Sequence, residues 1–178
     1  MIVQFKRNPG ANRKLYVVCP FSFTESLLRE KYGDEDYFLS CNGAVLSYSD
    51  SAYLQAIGDL LIREEIRTIC FVQGTSCRFL NGAIRKSVQF GLNAESLMGE
   101  IFAEQCEPRI EGMPLWDKQR MLADLVIKSQ VQALLQSEEL GGLALSRRIE
   151  VMGMITSRER KVFEEVPMYR TQRMIHER

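Results

Sequence analysis

The sequence predicts an α/β fold: a single domain built on a mainly parallel β-sheet. Three observations carry this prediction. Short apolar runs rich in β-branched and aromatic residues alternate with amphipathic stretches of helical periodicity. The runs are apolar throughout, which is typical of strands that a parallel sheet buries on both faces. A length of 178 residues with 46% hydrophobic residues is enough for one domain with its own core.

The first third of the chain predicts two strands and two helices. Residues 14–19 (KLYVVC) and 37–41 (YFLSC) are apolar runs that predict buried strands, and residues 25–31 between them predict a short helix. Asn42-Gly43 is a turn signal. In residues 51–65, apolar side chains recur at spacings of three and four, which predicts an amphipathic helix.

The middle of the chain predicts a third strand and a loop at the sheet edge. Residues 68–72 (TICFV) predict a buried strand, and residues 73–77 (QGTSC) follow it as a loop of small residues. Residues 78–89 and 94–105 predict helices. This order places the loop beyond the carboxyl ends of the strands, where open α/β sheets bind their ligands.

The last third predicts a long helix and a terminal strand pair. Helix Leu115–Gln136 begins after a proline, and Gly141-Gly142 predicts a break. Residues 149–155 and 161–166 predict strands joined by a polar turn at 157–160. Because this connection is too short for a parallel crossover, we expect an antiparallel hairpin at the sheet edge. We assign residues 1–13 to an N-terminal segment, 14–166 to the domain and 167–178 to a tail.

Composition excludes several classes of function. Lys+Arg and Asp+Glu both number 23, so the net charge is zero and a field that attracts nucleic acid is not expected. No apolar run approaches the ~18 residues of a membrane span, and the N-terminus lacks the apolar core of a signal peptide. We therefore expect a cytoplasmic protein without nucleic-acid or membrane partners. The only histidine, His176, is predicted to be a solvated tail residue, which excludes multi-histidine metal sites and histidine-dependent triads.

Five cysteines stand at positions 19, 41, 70, 77 and 106, without a C-x-x-C pair. This pattern indicates neither a disulfide framework nor a zinc ribbon. Cys70 and Cys106 are predicted to pack in the core. Cys19, Cys41 and Cys77 lie at the functional edge of the predicted sheet, so each is either a site residue or a buried thiol.

The loop after the third strand supplies the remaining candidate site residues. These are Gln73, Gly74, Thr75 and Ser76, together with Cys77. A glycine-containing loop before a helix can present backbone N–H groups to an anion. The loop has neither the P-loop lysine nor the G-x-G-x-x-G spacing, so a tight strand-to-helix turn is the alternative.

Five segments follow one another in the order and spacing of a known family. They are LYVVC-PFSF at 15–23, YFLSC-NG at 37–43, TICFVQGTSC at 68–77, Ile127-x-x-Gln130-Val131-x-x-Leu134, and a strand pair at 150–166 with Gly153. In this arrangement, residues 14–166 resemble the β-class carbonic anhydrases. The resemblance implies a sheet of order 2-1-3-4 with an antiparallel fifth strand at the edge and helices on both faces.

The resemblance also implies a zinc site, in which this sequence lacks the polar dyad. The family binds zinc through a cysteine after the first strand and through a histidine and a second cysteine after the third. Cys19 stands at the first cysteine. Phe21 and Phe23 replace the aspartate and arginine that follow it, which predicts an apolar pocket.

The histidine is missing as well, wherever the third motif is placed. With Cys77 at the second cysteine, the histidine position falls on Gly74. A shift of one residue places Thr75 at the histidine and Arg78 at the cysteine. Since neither placement contains an imidazole, three zinc ligands with an open fourth position are not expected.

We therefore predict a carbonic-anhydrase-like protein without zinc-dependent hydration of carbon dioxide, acting in binding or assembly. The resemblance implies a homodimer, since Phe21, Phe23 and the apolar face of residues 51–65 lie where the family dimerises. A phenylalanine pair near a sheet edge is also not expected to face water. An active protein would be a lyase of the carbonate dehydratase type.

Two alternatives remain open at the level of the sequence. One is an enzyme with a rebuilt site, in which Cys19 or Cys77 acts as a nucleophile or binds zinc or another soft metal with Cys41. A helix N-terminus or a nearby arginine such as Arg78 would activate the thiol in place of a histidine base. The other alternative is a sensor that holds a small anion such as bicarbonate at residues 73–77.

Overall fold

The computed structural model describes residues 13–87 and 90–168. Within them, five strands form a sheet of order β2-β1-β3-β4-β5. Neighbouring strands run parallel except for β4 and β5, which pair antiparallel. The strands are β1 Lys14–Val18, β2 Tyr37–Ser40, β3 Thr68–Gly74, β4 Glu150–Ser157 and β5 Val162–Val166. The predicted α/β fold, its strand order and its antiparallel edge strand are confirmed.

Six α-helices connect these strands within the described residues. They are α1 Thr24–Tyr32, α2 Ser51–Arg63, α3 Arg78–Ile84, α4 Asn93–Ile101, α5 Leu115–Gln136 and α6 Glu138–Arg147. Side-chain caps fix two of the starts. Asp50 accepts a hydrogen bond from the N–H of Tyr53 at 3.0 Å, and Ser137 accepts one from the N–H of Gly141 at 3.3 Å.

The two faces of the sheet carry cores of different size. One face packs with α2 to α6 into the larger apolar cluster, to which β1 contributes Leu15 and Val17. The other face carries a smaller cluster that includes Tyr16 and Cys70 and is covered by Leu28 of α1. Helices therefore lie on both faces, and Cys70 is a core residue as predicted.

Helix α5 fixes the loop that follows β2. The residues of its predicted pattern are all buried: Ile127, Gln130, Val131 and Leu134. Gly153 of β4 allows the helix to approach, because a Cβ at this position would lie 2.0 Å from Ile127 Cγ2. The side-chain oxygen of Gln130 accepts a hydrogen bond from the N–H of Leu46 at 3.0 Å. The long helix therefore connects the sheet to a loop at its carboxyl edge.

Two predicted boundaries around the third strand are wrong. β3 continues to Gly74, because this residue pairs with Thr156 of β4. Helix α3 ends at Ile84, where the N–H of Ser87 donates to the carbonyl of Gly82 at 2.9 Å and closes the last turn. Residues 88–89, at the predicted end of that helix, lie outside the described residues.

The predicted break at Gly141-Gly142 is also wrong. Helix α6 runs through both glycines, and the interruption after α5 lies at Ser137. The Ser137 cap starts the new helix, and the buried side chains of Leu140 and Ala144 hold it against the core. Packing thus outweighs the low helix propensity of two glycines.

Some predictions concern residues that the structure does not describe. Residues 1–12 and 169–178 lie outside the described residues, and the second range contains His176. In the part of the chain that is described, no helix is both long enough and apolar enough to cross a membrane.

Candidate functional site

Two buried cysteines meet at the carboxyl ends of β1 and β3. Cys19 directly follows β1, and Cys77 directly precedes α3. Their side chains share a hydrogen bond, and each residue is at most 1% exposed. The pairing of β1 with β3 explains this contact, since parallel neighbours release the chain at the same edge. The contact agrees with the placement of Cys77, rather than Arg78, at the second cysteine of the motif.

The two thiols of this pair have opposite acidities. The hydrogen bond from Cys77 lowers the pKa of Cys19 to about 7, although burial opposes the shift; backbone N–H groups add to the lowering. The same hydrogen bond, together with burial, raises the pKa of Cys77 well above its ordinary value. Cys19 is therefore the more acidic thiol of the pair, and Cys77 is the one that donates to it.

Gly43 supplies one of the backbone donors to Cys19. Its N–H lies 3.3 Å from Cys19 Sγ. The residue has φ +64°, a left-handed conformation that favours glycine, and a Cβ there would lie 2.8 Å from Met98 Cε. The buried amide of Gln73 donates to the Gly43 carbonyl and holds the turn in place. Gln73 thus acts as a support for this turn.

The space beside Gly74 is filled by hydroxyl side chains. A Cβ at Gly74 would lie 2.7 Å from Thr24 Oγ1 and 2.9 Å from Ser22 Cβ. Ser22 Oγ donates to the carbonyl of Cys19 at 2.7 Å and shares a hydrogen bond with Thr24 Oγ1 at 2.6 Å. Both residues are buried, so this arrangement leaves no room for a longer side chain at position 74.

These residues do not fit the three-ligand zinc site that the family resemblance implies. Cys19 and Cys77 supply two sulfur atoms, while Gly74 stands at the histidine position without space for a ligand. Among the described residues, no group of three or more His, Cys, Asp or Glu side chains lies close enough to hold a metal ion. The donor set of this edge is therefore a pair of thiols.

Cys41 lies near the Cys19–Cys77 pair but does not form a three-cysteine metal site with it. It follows β2 and is half-buried, and it packs against the larger core. Burial raises the pKa of its thiol to about 12, and the charge of Cys19 adds to this effect. Cys41 is therefore a neutral neighbour of the pair. Cys106 is buried in the core as predicted.

Phe21 and Phe23 point outward, contrary to the prediction of an apolar pocket. They are 46% and 66% exposed in the single chain, whereas Ser22 and Thr24 alternate with them and face inward. Phe23 has φ +54°, an uncommon conformation for a bulky residue. Its backbone turns the chain into α1 and directs alternate side chains to opposite sides. Phe21 contacts Phe79 edge-on, with ring centroids 5.7 Å apart.

The loop after β3 is a tight turn whose N–H groups are largely used. The N–H of Thr75 donates to the carbonyl of Thr156, and that of Cys77 donates to the carbonyl of Gly74, each at 2.9 Å. Ser76 is exposed and its hydroxyl donates to the carbonyl of Ser22 at 3.1 Å. These contacts correspond to the tight-turn alternative and leave fewer donors for an anion.

Arg78 does not take the position of a thiol-activating residue. It is exposed, and its guanidinium lies over the Phe90 ring at 4.4 Å. The donors that lower the Cys19 pKa are Cys77 and the N–H groups of the turns after β1 and β2.

Three residues of the site were absent from the sequence prediction: Ser22, Thr24 and, as a donor to sulfur, Gly43. The available signal was the alternation Phe-Ser-Phe-Thr at 21–24, which places two small polar residues between aromatic ones. Residues 20–22 form a 3-10 helix and Thr24 begins α1, so the two-residue period of a strand does not apply to them and the pattern does not show which pair is buried.

No protein-family model and no curated protein matches the sequence. Solved structures match the fold with probability 1.00. The β-carbonic anhydrase CafD of Aspergillus fumigatus has a TM-score of 0.72 and 21% identity, over 93% of this chain and 95% of that chain. A tetrameric β-carbonic anhydrase of Sordaria macrospora has a TM-score of 0.72 and 13% identity, over 87% and 80%.

A third match extends the comparison beyond the fungal proteins. The Coccomyxa β-carbonic anhydrase in complex with acetazolamide has a TM-score of 0.68 and 15% identity, over 86% of this chain and 71% of that chain. At these identities the likeness concerns the fold, in which the strand order and the edge hairpin agree with the order of the sequence motifs. The chain has the fold of the β-carbonic anhydrases, as its motifs predict.

Proposed function

We propose that this protein retains the β-carbonic anhydrase fold without zinc-dependent hydration of carbon dioxide. The observation that carries the proposal is the closed space at Gly74, where atoms of Ser22 and Thr24 lie within 2.9 Å of the point that a Cβ would occupy. Hydration by zinc needs three protein ligands and an open position for a bound water that ionises near pH ~7. Two thiols with a filled third position do not provide this arrangement.

The positions after Cys19 support the same proposal. Phe21 and Phe23 stand where the resemblance places an aspartate and an arginine, and both rings point outward. Neither side chain can accept a proton or orient a hydroxide. The buried hydroxyls of Ser22 and Thr24 already hydrogen-bond each other and the Cys19 carbonyl.

Stopped-flow measurement of carbon dioxide hydration tests the proposal. The purified chain is measured with and without added zinc, beside a β-carbonic anhydrase of the same fold as a positive control. We expect the buffer background in both conditions. A rate well above background that disappears in Cys19→Ser would overturn the proposal, because it would show a complete zinc site at this edge.

We further propose that the chain assembles as a homodimer through the surface around Phe21 and Phe23. Phe23 is 66% exposed in the single chain and adopts a strained backbone conformation, a combination that occurs at functional surfaces. Proteins of this fold from Sordaria macrospora are described as tetrameric. A stable dimer would bury well over ~1,000 Å² in total.

Light scattering at micromolar concentration tests the dimer. We expect twice the mass of one chain, and a shift toward a single chain in Phe23→Ser. Leu145→Ser is the matched control, since Leu145 is 67% exposed but lies at the end of α6, near the amino end of β4. A wild-type mass of one chain, or an equal effect of both substitutions, would contradict this interface.

We also propose a cytoplasmic location for the protein. All five cysteines are described and all are free thiols. Reduced thiols are typical of proteins in reducing compartments. Retention in the cytosolic fraction of source cells, compared with a secreted fraction, tests this location.

A further inference from the structure

The chain contains two Asn-Gly pairs, Asn42-Gly43 and Asn81-Gly82, which have different surroundings. In such a pair the side-chain amide can react with the next backbone nitrogen, because glycine has no Cβ that shields this atom. Asparagine is accordingly among the thermolabile residues of proteins. Since the two dipeptides are identical, any difference in their reactivity must come from the structure around them.

The side chain of Asn81 is held by hydrogen bonds at both of its polar atoms. It lies within helix α3, and its Nδ2 donates to the carbonyls of Thr75 and Cys77, each at 2.9 Å. Its Oδ1 accepts a hydrogen bond from Gln119 Nε2 at 2.7 Å. The side-chain amide therefore cannot turn toward the Gly82 nitrogen without breaking three contacts.

The side chain of Asn42 has no comparable restraint. It is exposed after β2, and it forms no hydrogen bond with another of the described residues. The next residue, Gly43, has φ +64° and lies in the short 3-10 helix Asn42–Ala44. Its N–H donates to Cys19 Sγ at 3.3 Å, and sulfur is a weak acceptor. The Gly43 nitrogen and the Asn42 amide are therefore both weakly held.

We propose that Asn42 is a site of self-modification, where Asn42-Gly43 converts to aspartate and isoaspartate in the folded protein while Asn81-Gly82 stays intact. First, the Gly43 nitrogen forms a bond to Asn42 Cγ, and the bond from Cγ to Nδ2 breaks. The amide nitrogen leaves as ammonia, with the proton that the Gly43 nitrogen gives up. Water then opens the cyclic imide at either carbonyl carbon, so water is the only co-reactant and no redox step occurs.

The modification changes the turn beside Cys19. Both products carry a carboxylate where the amide stood, and isoaspartate also adds one carbon atom to the backbone between positions 42 and 43. Gly43 is held on both sides, since its N–H contacts Cys19 Sγ and its carbonyl accepts a hydrogen bond from Gln73. A longer backbone before Gly43 cannot keep both contacts. The loop after β2 therefore loosens as the isoaspartate fraction grows.

Trypsin digestion with mass spectrometry measures both pairs in one experiment. The full chain is incubated at mildly alkaline pH, folded in buffer or unfolded in urea, and the peptides of residues 32–63 and 79–85 are quantified over time. In the folded chain, conversion at Asn42 should be at least about tenfold faster than at Asn81, where three hydrogen bonds must break. Similar rates are expected in urea, where neither pair keeps its surroundings.

Two variants assign the difference to the structure. Gln119→Ala removes the donor to Asn81 Oδ1, so conversion at Asn81 should rise about fivefold while that at Asn42 stays the same. Asn42→Gln lengthens the side chain by one carbon atom and should abolish conversion at position 42. A methyltransferase that labels isoaspartate should mark the peptide of residues 32–63 in the natural chain and leave it unmarked in Asn42→Gln.

Three results would overturn the proposal. They are equal conversion of the two pairs in the folded chain, conversion at Asn42 that occurs only in urea, and faster conversion at Asn81 than at Asn42. Circular dichroism during the incubation verifies that the chain stays folded in buffer. The proposal does not depend on the absence of carbon dioxide hydration, because it concerns another residue and another readout.

Discussion

Two glycines, Gly153 and Gly74, stand in neighbouring strands and both lack room for a side chain, but for different reasons. At Gly153 of β4, a Cβ would lie 2.0 Å from Ile127 Cγ2 of α5 and 2.8 Å from Met168 Cε. At Gly74, at the end of β3, it would meet Thr24 Oγ1 at 2.7 Å and Ser22 Cβ at 2.9 Å. The first contact joins a helix to the sheet, whereas the second packs the turn after Cys19 against the end of β3.

The two glycines therefore distinguish a contact within the core of the fold from a contact at the candidate site. Gly153 stands where the family resemblance implies a glycine in the strand motif, and it allows the close approach of α5 to β4. Gly74 stands where the family resemblance implies a metal-binding histidine, and the side chains that fill its space come from the turn after Cys19. The contact at Gly153 therefore holds a helix on the sheet, while the contact at Gly74 packs the turn after Cys19 against the end of β3.

The largest effect is expected for Gly153→Ala. The new methyl group would overlap Ile127, and overpacking a well-packed core costs about 3 kcal/mol or more in such a tight place. Denaturant unfolding measures the change, and Ile127→Ala in the same chain should recover part of it. A loss below about 1 kcal/mol would show that α5 moves away easily and that Gly153 is not a scaffold contact.

A smaller loss is expected for Gly74→Ala. The nearest atoms belong to two short side chains of a turn, which yield more readily than a helix packed on the sheet. We expect about 1–2 kcal/mol in the same unfolding experiment. If the substitution were neutral, the space beside Gly74 would be open to a larger side chain, contrary to the close packing of Ser22 and Thr24 there.

Removing the hydrogen-bond donor of the thiol pair should change the acidity of Cys19. Cys77→Ala removes the largest cause of the lowered pKa, so the midpoint of Cys19 ionisation should rise from about 7 toward the ordinary thiol value. The thiolate fraction at neutral pH then falls. Ultraviolet thiolate absorbance against pH, with Cys19→Ser as the blank, measures the midpoint.

Cys77→Ser is the control for that titration, because its hydroxyl still donates a hydrogen bond. It should shift the midpoint less than Cys77→Ala does. Equal midpoints in the natural chain and in Cys77→Ala would mean that backbone N–H groups alone lower the pKa of Cys19. The hydrogen bond from Cys77 would then have no effect on it.

The smallest effect is expected at a glycine without a steric role. Gly142 lies inside α6, and no described heavy atom outside its own helix backbone and chain neighbours lies within 4 Å of a Cβ built there. Gly142→Ala should therefore stabilise the chain by about 0.5–1 kcal/mol through helix propensity. Thermal unfolding would reveal the gain, and a loss instead would show that α6 packs more tightly at this point.

The sequence was sufficient to predict the scaffold. Apolar runs identified the strands, because a strand that is buried on both faces of a sheet consists almost entirely of apolar residues. Helical periodicity after a proline identified the bounds of helix Leu115–Gln136. The pair Gly141-Gly142 misled the prediction because propensity is weaker than the cap at Ser137 and the packing of α6.

The interior of the site was harder to predict than its cysteines. Cys19 and Cys77 follow from strand adjacency, but the inward side of the turn at 21–24 does not follow from hydrophobicity, which favours burial of Phe21 and Phe23. In the structure Phe23 adopts a left-handed conformation before α1, and the buried residues of the turn are Ser22 and Thr24. A single backbone angle of this kind leaves no clear mark in one sequence.

A double-mutant cycle between Gly74 and Thr24 tests the central claim, that the side chains of the turn after Cys19 fill the space beside Gly74. Unfolding free energies are measured for Gly74→Ala, Thr24→Ala and the double variant, with Thr24→Val as the bulk-preserving control. We predict that Thr24→Ala lowers the cost of Gly74→Ala by about 1 kcal/mol, whereas Thr24→Val gives no such relief. Additive losses within about 0.5 kcal/mol in both cycles would contradict the claim, since the two positions would then not share the same space.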